Sequence, residues 1–279
     1  MPELPEVETM RRGVASVAGL EIRRVEFPRI KARPIVVSPS RETFRRKVRG
    51  RKIDGVGRIG KRVVLSLDDG HSLILEPRMT GLVLLADPPS PEHLRLRLAL
   101  AGKRNRELLF WDRRGLGCVH LLTPQQLAHL RDHKLGPDAL EISAEQLRER
   151  LKRSRRAIKV ALLDQAVIAG VGNLYASELL HVAGVHPRRR CDRLTIDQWR
   201  RIHQAMQEVL HEAIRYEGST LSDGTYRNAL NQAGGYQNAH RVYDKAGQPC
   251  PQCQTKITRI VQAQRSTFFC SQCQRQSRK

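Results

Sequence analysis

The sequence predicts an α+β chain: an opening helix, a β-rich first half, a helical middle and a small C-terminal hairpin module. Three observations predict it. Apolar residues alternate with period two between residues 21 and 122. From residue 143 onward they recur at helical spacing behind two capping boxes. The last thirty residues carry Cys250-x2-Cys253-x16-Cys270-x2-Cys273, whose two CxxC turns and intervening hairpin suit one tetrahedral Zn2+ ion held by four thiolates.

Each element follows in chain order. Residues 2–13 read as a short helix, with Pro5 in the first turn, acids in the first half, and Val7, Met10 and Val14 on one face. Val63, Leu65 and Leu67 then alternate before the turn Asp69-Gly70, Leu73 to Leu75 follow, and Leu94, Leu96, Leu98 and Leu100 alternate with Arg95 and Arg97. With 21–27, 82–86, 107–112 and 117–122 these half-buried antiparallel strands suffice for a sandwich or barrel. Residues 132–142, containing Gly136-Pro137, read as a hinge. Ser143-x-x-Gln146 opens the helical region, and Thr195-x-x-Gln198 opens a helix carrying Trp199, Ile202, Met206, Leu210 and Ala213. The Gly-, Asn- and Ser-rich stretch 218–240 suits a mobile loop more than a packed element. The expected division is therefore 1–131, 143–217, 218–240 and 241–279.

Composition narrows the partner. Lys and Arg number 50 against 28 Asp and Glu, a formal charge of +22 and a sequence pI near 10.7. The excess is clustered: ten basic against two acidic residues in 41–62, seven against one in 147–160, and eight against one in 235–279. Basic surface in every region suits a groove along a phosphate backbone, with steeply salt-dependent binding. No stretch approaches the roughly 20 apolar residues of a membrane span. Two isolated cysteines, Cys118 and Cys191, and the lack of an apolar leader favour a reducing cytosol, and thus zinc over disulfides.

The stretch Ile168-Ala-Gly-Val-Gly-Asn-Leu-Tyr175 joins two helical patterns. Gly170 and Gly172 are free to adopt positive φ and Asn173 to cap the next helix, so successive N–H groups there form a concavity for a phosphate, to which Lys159 adds charge. A plain helix-turn-helix corner would carry the same pattern.

Taken together, Pro2-Glu-Leu-Pro-Glu-Val-Glu8, Gly170-Val-Gly-Asn-Leu-Tyr-Ala-Ser-Glu178, and Val242-Tyr-x3-Gly-x-Pro-Cys250 with Gln264-Arg-Ser-Thr-x2-Cys-x2-Cys-Gln274 resemble the formamidopyrimidine-DNA glycosylases over nearly the whole chain. The resemblance implies a helix-capped antiparallel β-sandwich, a helix-two-turn-helix domain and a C-terminal zinc-finger hairpin. It also implies damaged double-stranded DNA as partner, and a bacterial-type, nucleoid-associated cytoplasmic enzyme of base-excision repair that cuts the abasic strand. A monomer suffices for such a clamp.

The opening residues suit that chemistry. A Met-Pro start is normally trimmed, which would leave Pro2 a secondary amine of the α-amino class, with a pKa of about 7.7–8.0. Its attack on a sugar C1′ gives an iminium ion, an electron sink for elimination. Glu3 beside it suits a proton donor to the sugar ring oxygen, and Glu6, one turn on, could hold the helix start or tune Glu3. The bland alternative is a helix opener whose acids complement the dipole.

Further roles are implied by the resemblance alone. Lys61 matches a lysine that contacts the phosphate flanking the lesion, and Arg265 one that clamps the same phosphate. His93 matches a DNA-contacting histidine. Met79 and Arg114 match residues that fill the gap left by a base rotated from the stack, and Leu116 stands where the family usually has Phe. Glu76 stands where it often has a phosphate-contacting histidine, so a carboxylate there should be turned away or paired with Arg78. Two alternatives stay open: an endonuclease VIII-type glycosylase for oxidised pyrimidines, and a non-catalytic zinc-ribbon nucleic-acid binder.

Overall fold

The computed structural model describes residues 2–102 and 106–276. They form two compact units, Met1–Asp132 with Ile214–Gln237, and His133–Ala213 with Asn238–Lys279.

The first unit opens with α1 (Leu4–Gly13), whose residues from Leu4 to Met10 are all buried. Two sheets follow. Strands β1 (Ile22–Glu26), β7 (Leu94–Leu100), β8 (Arg106–Asp112) and β6 (Gly81–Leu84) form one in the order β1-β7-β8-β6, all antiparallel. The other runs β2-β9-β5-β4-β3, from β2 (Val36–Ser38), β3 (Ile53–Ile59), β4 (Arg62–Leu67), β5 (Ser72–Glu76) and β9 (Cys118–Leu122). Its β2–β9 pair is parallel, Val36 lying opposite Cys118, an exception to the antiparallel expectation. Alternation in β4 and β7 sends Val63, Leu65, Leu67, Leu96 and Leu98 into one core with Val7, Met10, Phe44 and Phe110.

Several features depart from the sequence reading. A helix, α2 (Arg41–Val48), occupies part of the first basic cluster. Ser40 caps it by accepting the Thr43 N–H, and only Phe44 and Val48 are buried. Arg95 does not point outward. A register irregularity between Leu94 and Leu96 turns its guanidinium inward, where Nε donates to the Asp112 carbonyl at 2.8 Å and the residue is 3% exposed. A short α3 (Pro124–His129) closes the run of strands.

The second unit contains α4 (Ala144–Leu151), α5 (Ile158–Leu162), α6 (Asn173–Val182), most of α7 (Ile196–Arg215), and the hairpin of β10 (Thr258–Gln262) and β11 (Arg265–Phe269). Both expected capping boxes form: Ser143 with Gln146, and Thr195 with Gln198. Trp199, Ile202, Met206, Leu210 and Ala213 are all buried along α7. Among the described residues no helix is long and apolar enough to cross a membrane.

Residues 214–237 belong to the first unit; beyond the end of α7 at Arg215 they contain no regular strand or α-helix, and they are packed. Tyr226, Ala229 and Tyr236 are buried, and Gly13 lies so close to Ala229 that a Cβ would come within 2.4 Å of the Ala229 methyl. The composition that suggested mobility instead supplies backbone hydrogen bonds and tight approaches.

Candidate functional site

In the first unit the opening helix is organised by one carboxylate. Glu6 Oε2 accepts the backbone N–H of Glu3 at 2.8 Å, and Oε1 accepts that of Ser219 at 2.9 Å. The Tyr226 hydroxyl donates to the Glu217 carbonyl at 2.9 Å and also reaches the Glu6 carbonyl at 3.4 Å. Gly218, at φ +78°, lies where a Cβ would come within 2.9 Å of the Glu6 side chain. Pro2 and Glu3 are buried beside this knot. Glu6 therefore holds the helix start, as expected, and fastens residues 217–226 to it.

Lys61 sits at the second position of the two-residue Gly60-Lys61 turn between β3 and β4, flanked by the Ile59–Arg62 pair. That turn is braced to α1 through a carboxylate the sequence reading passed over. Glu8 accepts from Arg11 at 2.8 Å, from Arg12 at 2.8 Å and from Arg58 Nε at 3.1 Å, while Arg58 Nη1 donates to the Gly60 carbonyl at 3.0 Å. Burial alone would raise the Glu8 carboxyl. Hydrogen bonds from Arg11 and Arg12 and the charges of Arg11 and Arg58 outweigh it and hold the group down at about 2.

A folded-state value below the unfolded one means the network stabilises fully above pH ~4.5, and the contribution is lost as pH falls from there toward 2. We expect Glu8→Gln to cost about 1–3 kcal/mol at neutral pH, after discounting for solvent. The difference from wild type should shrink across that acid window in melts of the two proteins. Parallel profiles would show that Glu8 is not the group responsible.

Met79 and Arg114 lie on two turns that share Asp112. Thr80 Oγ1 donates to Asp112 Oδ1, the Arg114 N–H reaches both Thr80 Oγ1 (3.0 Å) and Asp112 Oδ1 (3.2 Å), and the Gly117 N–H donates to Asp112 Oδ2 at 2.7 Å. Gly115, at φ +63°, has the Arg33 carbonyl oxygen 2.2 Å from any added Cβ, so only glycine fits. Met79 is 37% exposed, Arg114 is exposed and Leu116 is half-buried. Glu76 is paired on both sides, accepting from Arg62 Nε at 2.9 Å and Arg78 Nε at 2.8 Å. The carboxylate that would repel a phosphate is thus neutralised by two cations. His93 is half-buried, edge-on to the Trp111 ring at 5.6 Å.

In the second unit two expectations need correction. Asn173 does not cap α6. Gly172 is the N-cap, at φ −130° and not in the left-handed region, while Asn173 Nδ2 donates to the Ser266 carbonyl at 3.0 Å. Lys159 is fully buried, its Nζ donating to Asn173 Oδ1 (2.6 Å), Thr267 Oγ1 (2.8 Å) and the Ser266 carbonyl (3.2 Å). An ammonium enclosed by three oxygens is not presented to a phosphate. It bolts the 170–173 turn to the hairpin instead. Gly170 does take a positive φ, +112°. Arg265 remains exposed, following Ala263 and Gln264, both at positive φ (+46° and +60°), as a two-residue hairpin turn requires.

The sulfurs of Cys250, Cys253, Cys270 and Cys273 lie within 4.8 Å of one another. Their recorded separations of 3.4–3.9 Å fit the ~3.8 Å between sulfurs each about 2.3 Å from a tetrahedral zinc. The four cysteines hold one structural zinc. Around them Gln274, fully buried, accepts the Cys270 N–H at 2.9 Å and donates to the Val185 carbonyl at 2.9 Å. Glu178, also fully buried, accepts the N–H groups of Arg241, Val242 and Tyr243 at 2.8, 2.9 and 2.7 Å. The sequence reading named Glu178 only as part of a motif. An acid inside the largely apolar helix Asn173–Val182 was the signal of a buried acceptor with fixed backbone donors.

An opening helix with a buried imino acid and carboxylate, a unit of two β-sheets, and helices with a zinc hairpin are the parts that likeness to known proteins assigns to one class, the DNA glycosylases of base-excision repair. The family model of the formamidopyrimidine-DNA glycosylase N-terminal domain matches residues 1–119, that of the corresponding H2TH domain 135–225, and a zinc finger found in FPG and IleRS 247–276. The chain belongs to the formamidopyrimidine-DNA glycosylase family. It is 42% identical over 282 residues to the formamidopyrimidine-DNA glycosylase of Chloroflexus aggregans, covering 98% of each chain. To that of Bacillus subtilis it is 37% identical over 280 residues, covering 98% of this chain and 99% of the other. Among solved structures, Lactococcus lactis Fpg in complex with DNA containing an abasic site superposes with a TM-score of 0.88 at 32% identity, over 98% of this chain and all of that one.

Proposed function

We propose that this enzyme removes oxidised purines, 8-oxoguanine and formamidopyrimidines, from duplex DNA as a monomer, and then cuts the abasic strand by β,δ-elimination. The observation that carries this reading is the burial of Pro2 and Glu3 together at a helix start whose Glu6 ties in residues 217–226. Met1 lies outside the described residues. Once it is removed, the Pro2 nitrogen bonds to C1′ as the C1′–base bond breaks, its N–H proton leaving with the base, and Glu3 gives its proton to the ring oxygen, which opens the sugar to an iminium ion. The resulting iminium cation accepts the electron pair released when a C2′ proton leaves. The 3′-phosphate is then expelled, and a second elimination expels the 5′-phosphate.

Lys61 and Arg265 suit phosphate contacts during these eliminations, and His93 a further DNA contact. Met79, Arg114 and Leu116 suit the space vacated by the rotated base. Lys159 and Asn173 take a positioning part, consistent with their mutual hydrogen bond. The sister specificity for oxidised pyrimidines is disfavoured by the Met79 and Arg114 pair. A bacterial, nucleoid-associated cytoplasmic setting fits the duplex substrate and the cysteine usage.

Borohydride trapping tests the nucleophile. The intact protein should cross-link to a duplex containing 8-oxoguanine, and Pro2→Gly should reduce that yield at least tenfold. Undiminished trapping would remove Pro2 from the role.

A further inference from the structure

We infer that His181 holds the metal-bound thiolate of Cys250 through an N–H···S hydrogen bond from Nε2, with the ring neutral and protonated at that nitrogen alone. His181 lies near the end of α6 and is 1% exposed, and its Nε2 stands 3.4 Å from Cys250 Sγ, itself fully buried. The four cysteines already complete a tetrahedron, so the imidazole is not a fifth ligand.

The tautomer follows from the other ring nitrogen. His181 Nδ1 is enclosed and has no hydrogen-bond partner. A proton there would bury an unsatisfied donor, while the Nε2 lone pair would face a sulfur carrying negative charge. With the proton on Nε2 both problems vanish, since the thiolate takes the hydrogen and Nδ1 keeps only an unpaired acceptor. Four thiolates on one dication leave a net charge of about −2 in a largely buried setting, where each N–H donor to sulfur spreads charge and fixes the direction of a ligand.

The same helix begins at Asn173, which bonds the hairpin at Ser266, and carries Glu178, which clamps residues 241–243 ahead of Cys250. His181 thus makes helix α6 a direct support of the metal site as well as of the hairpin around it.

The test uses the full-length zinc-loaded protein. Nitrogen-15 NMR of wild type should show His181 protonated at Nε2 and bare at Nδ1. After replacement of zinc by cadmium-113, a scalar coupling should connect the Nε2 proton to the metal through the hydrogen bond. His181→Phe keeps a ring of similar size without the donor and should loosen zinc about 10–100-fold in competition with a chromophoric chelator. His181→Gln, which retains an N–H, should recover part of the loss. A proton on Nδ1 in wild type, or zinc retention in the Phe variant equal to wild type, would overturn the inference. The wild-type spectrum decides even where a variant folds poorly.

Discussion

Glu3→Gln should lower base excision by about 10²–10⁴-fold in single-turnover assays on a lesion-bearing duplex, with DNA binding changed by no more than a few-fold. The substitution conserves volume at a position that is 3% exposed, and the local backbone is secured independently by Glu6 accepting the Glu3 N–H. What disappears is the transferable proton. Cleavage of a preformed abasic site should suffer less, because such a site interconverts with its ring-opened aldehyde, which forms the iminium ion with loss of water and needs no proton on the ring oxygen. Excision at the wild-type rate would sink the assignment of Glu3 as proton donor, whereas equal loss on both substrates would move its role to the elimination steps.

Zinc removal should cost at least a hundredfold in DNA affinity while leaving the first unit folded. The metal module has only a small core of its own. Its core comprises Val242, Cys250, Ile257, Phe268 and Cys270. Only Val242, Ile257 and Phe268 contribute apolar side chains other than the metal-binding cysteines to that core, so the metal carries a large share of its order. Metal binding at such sites supplies on the order of 10–16 kcal/mol. Hydrogen exchange should therefore show protection lost in β10 and β11 and kept in β4, β5 and β7. Affinity unchanged by chelation would refute a part for the hairpin in DNA binding.

What was legible in the sequence is what local rules govern. The CxxC spacing, the two capping boxes and the alternation in β4 and β7 each need only a few neighbouring residues to be read. Helix α2 was not legible, since two buried apolar residues, Phe44 and Val48, lie among seven basic ones in residues 41–52. Strand β3 was obscured because Gly55 and Gly57 interrupt its alternation. The braces of the site escaped for a different reason: Arg58–Glu8, Thr80–Asp112 and Arg241–Glu178 span 50, 32 and 63 positions. No window of sequence contains both ends. Lys159 misled because charge read without burial suggests a surface cation, whereas three converging oxygens make it an internal fastener.

Glu6 takes the amide hydrogen of residue 219. Proline, which has no hydrogen to offer, is therefore excluded there, and at 4% exposure the position has no room for a bulky side chain. The glycine before it is closed for a separate reason, because Glu6 already fills the space a larger residue would need. Sequence drift in this segment should thus halt at two adjacent positions for two unlike causes: a lost hydrogen at 219 and a steric collision at 218.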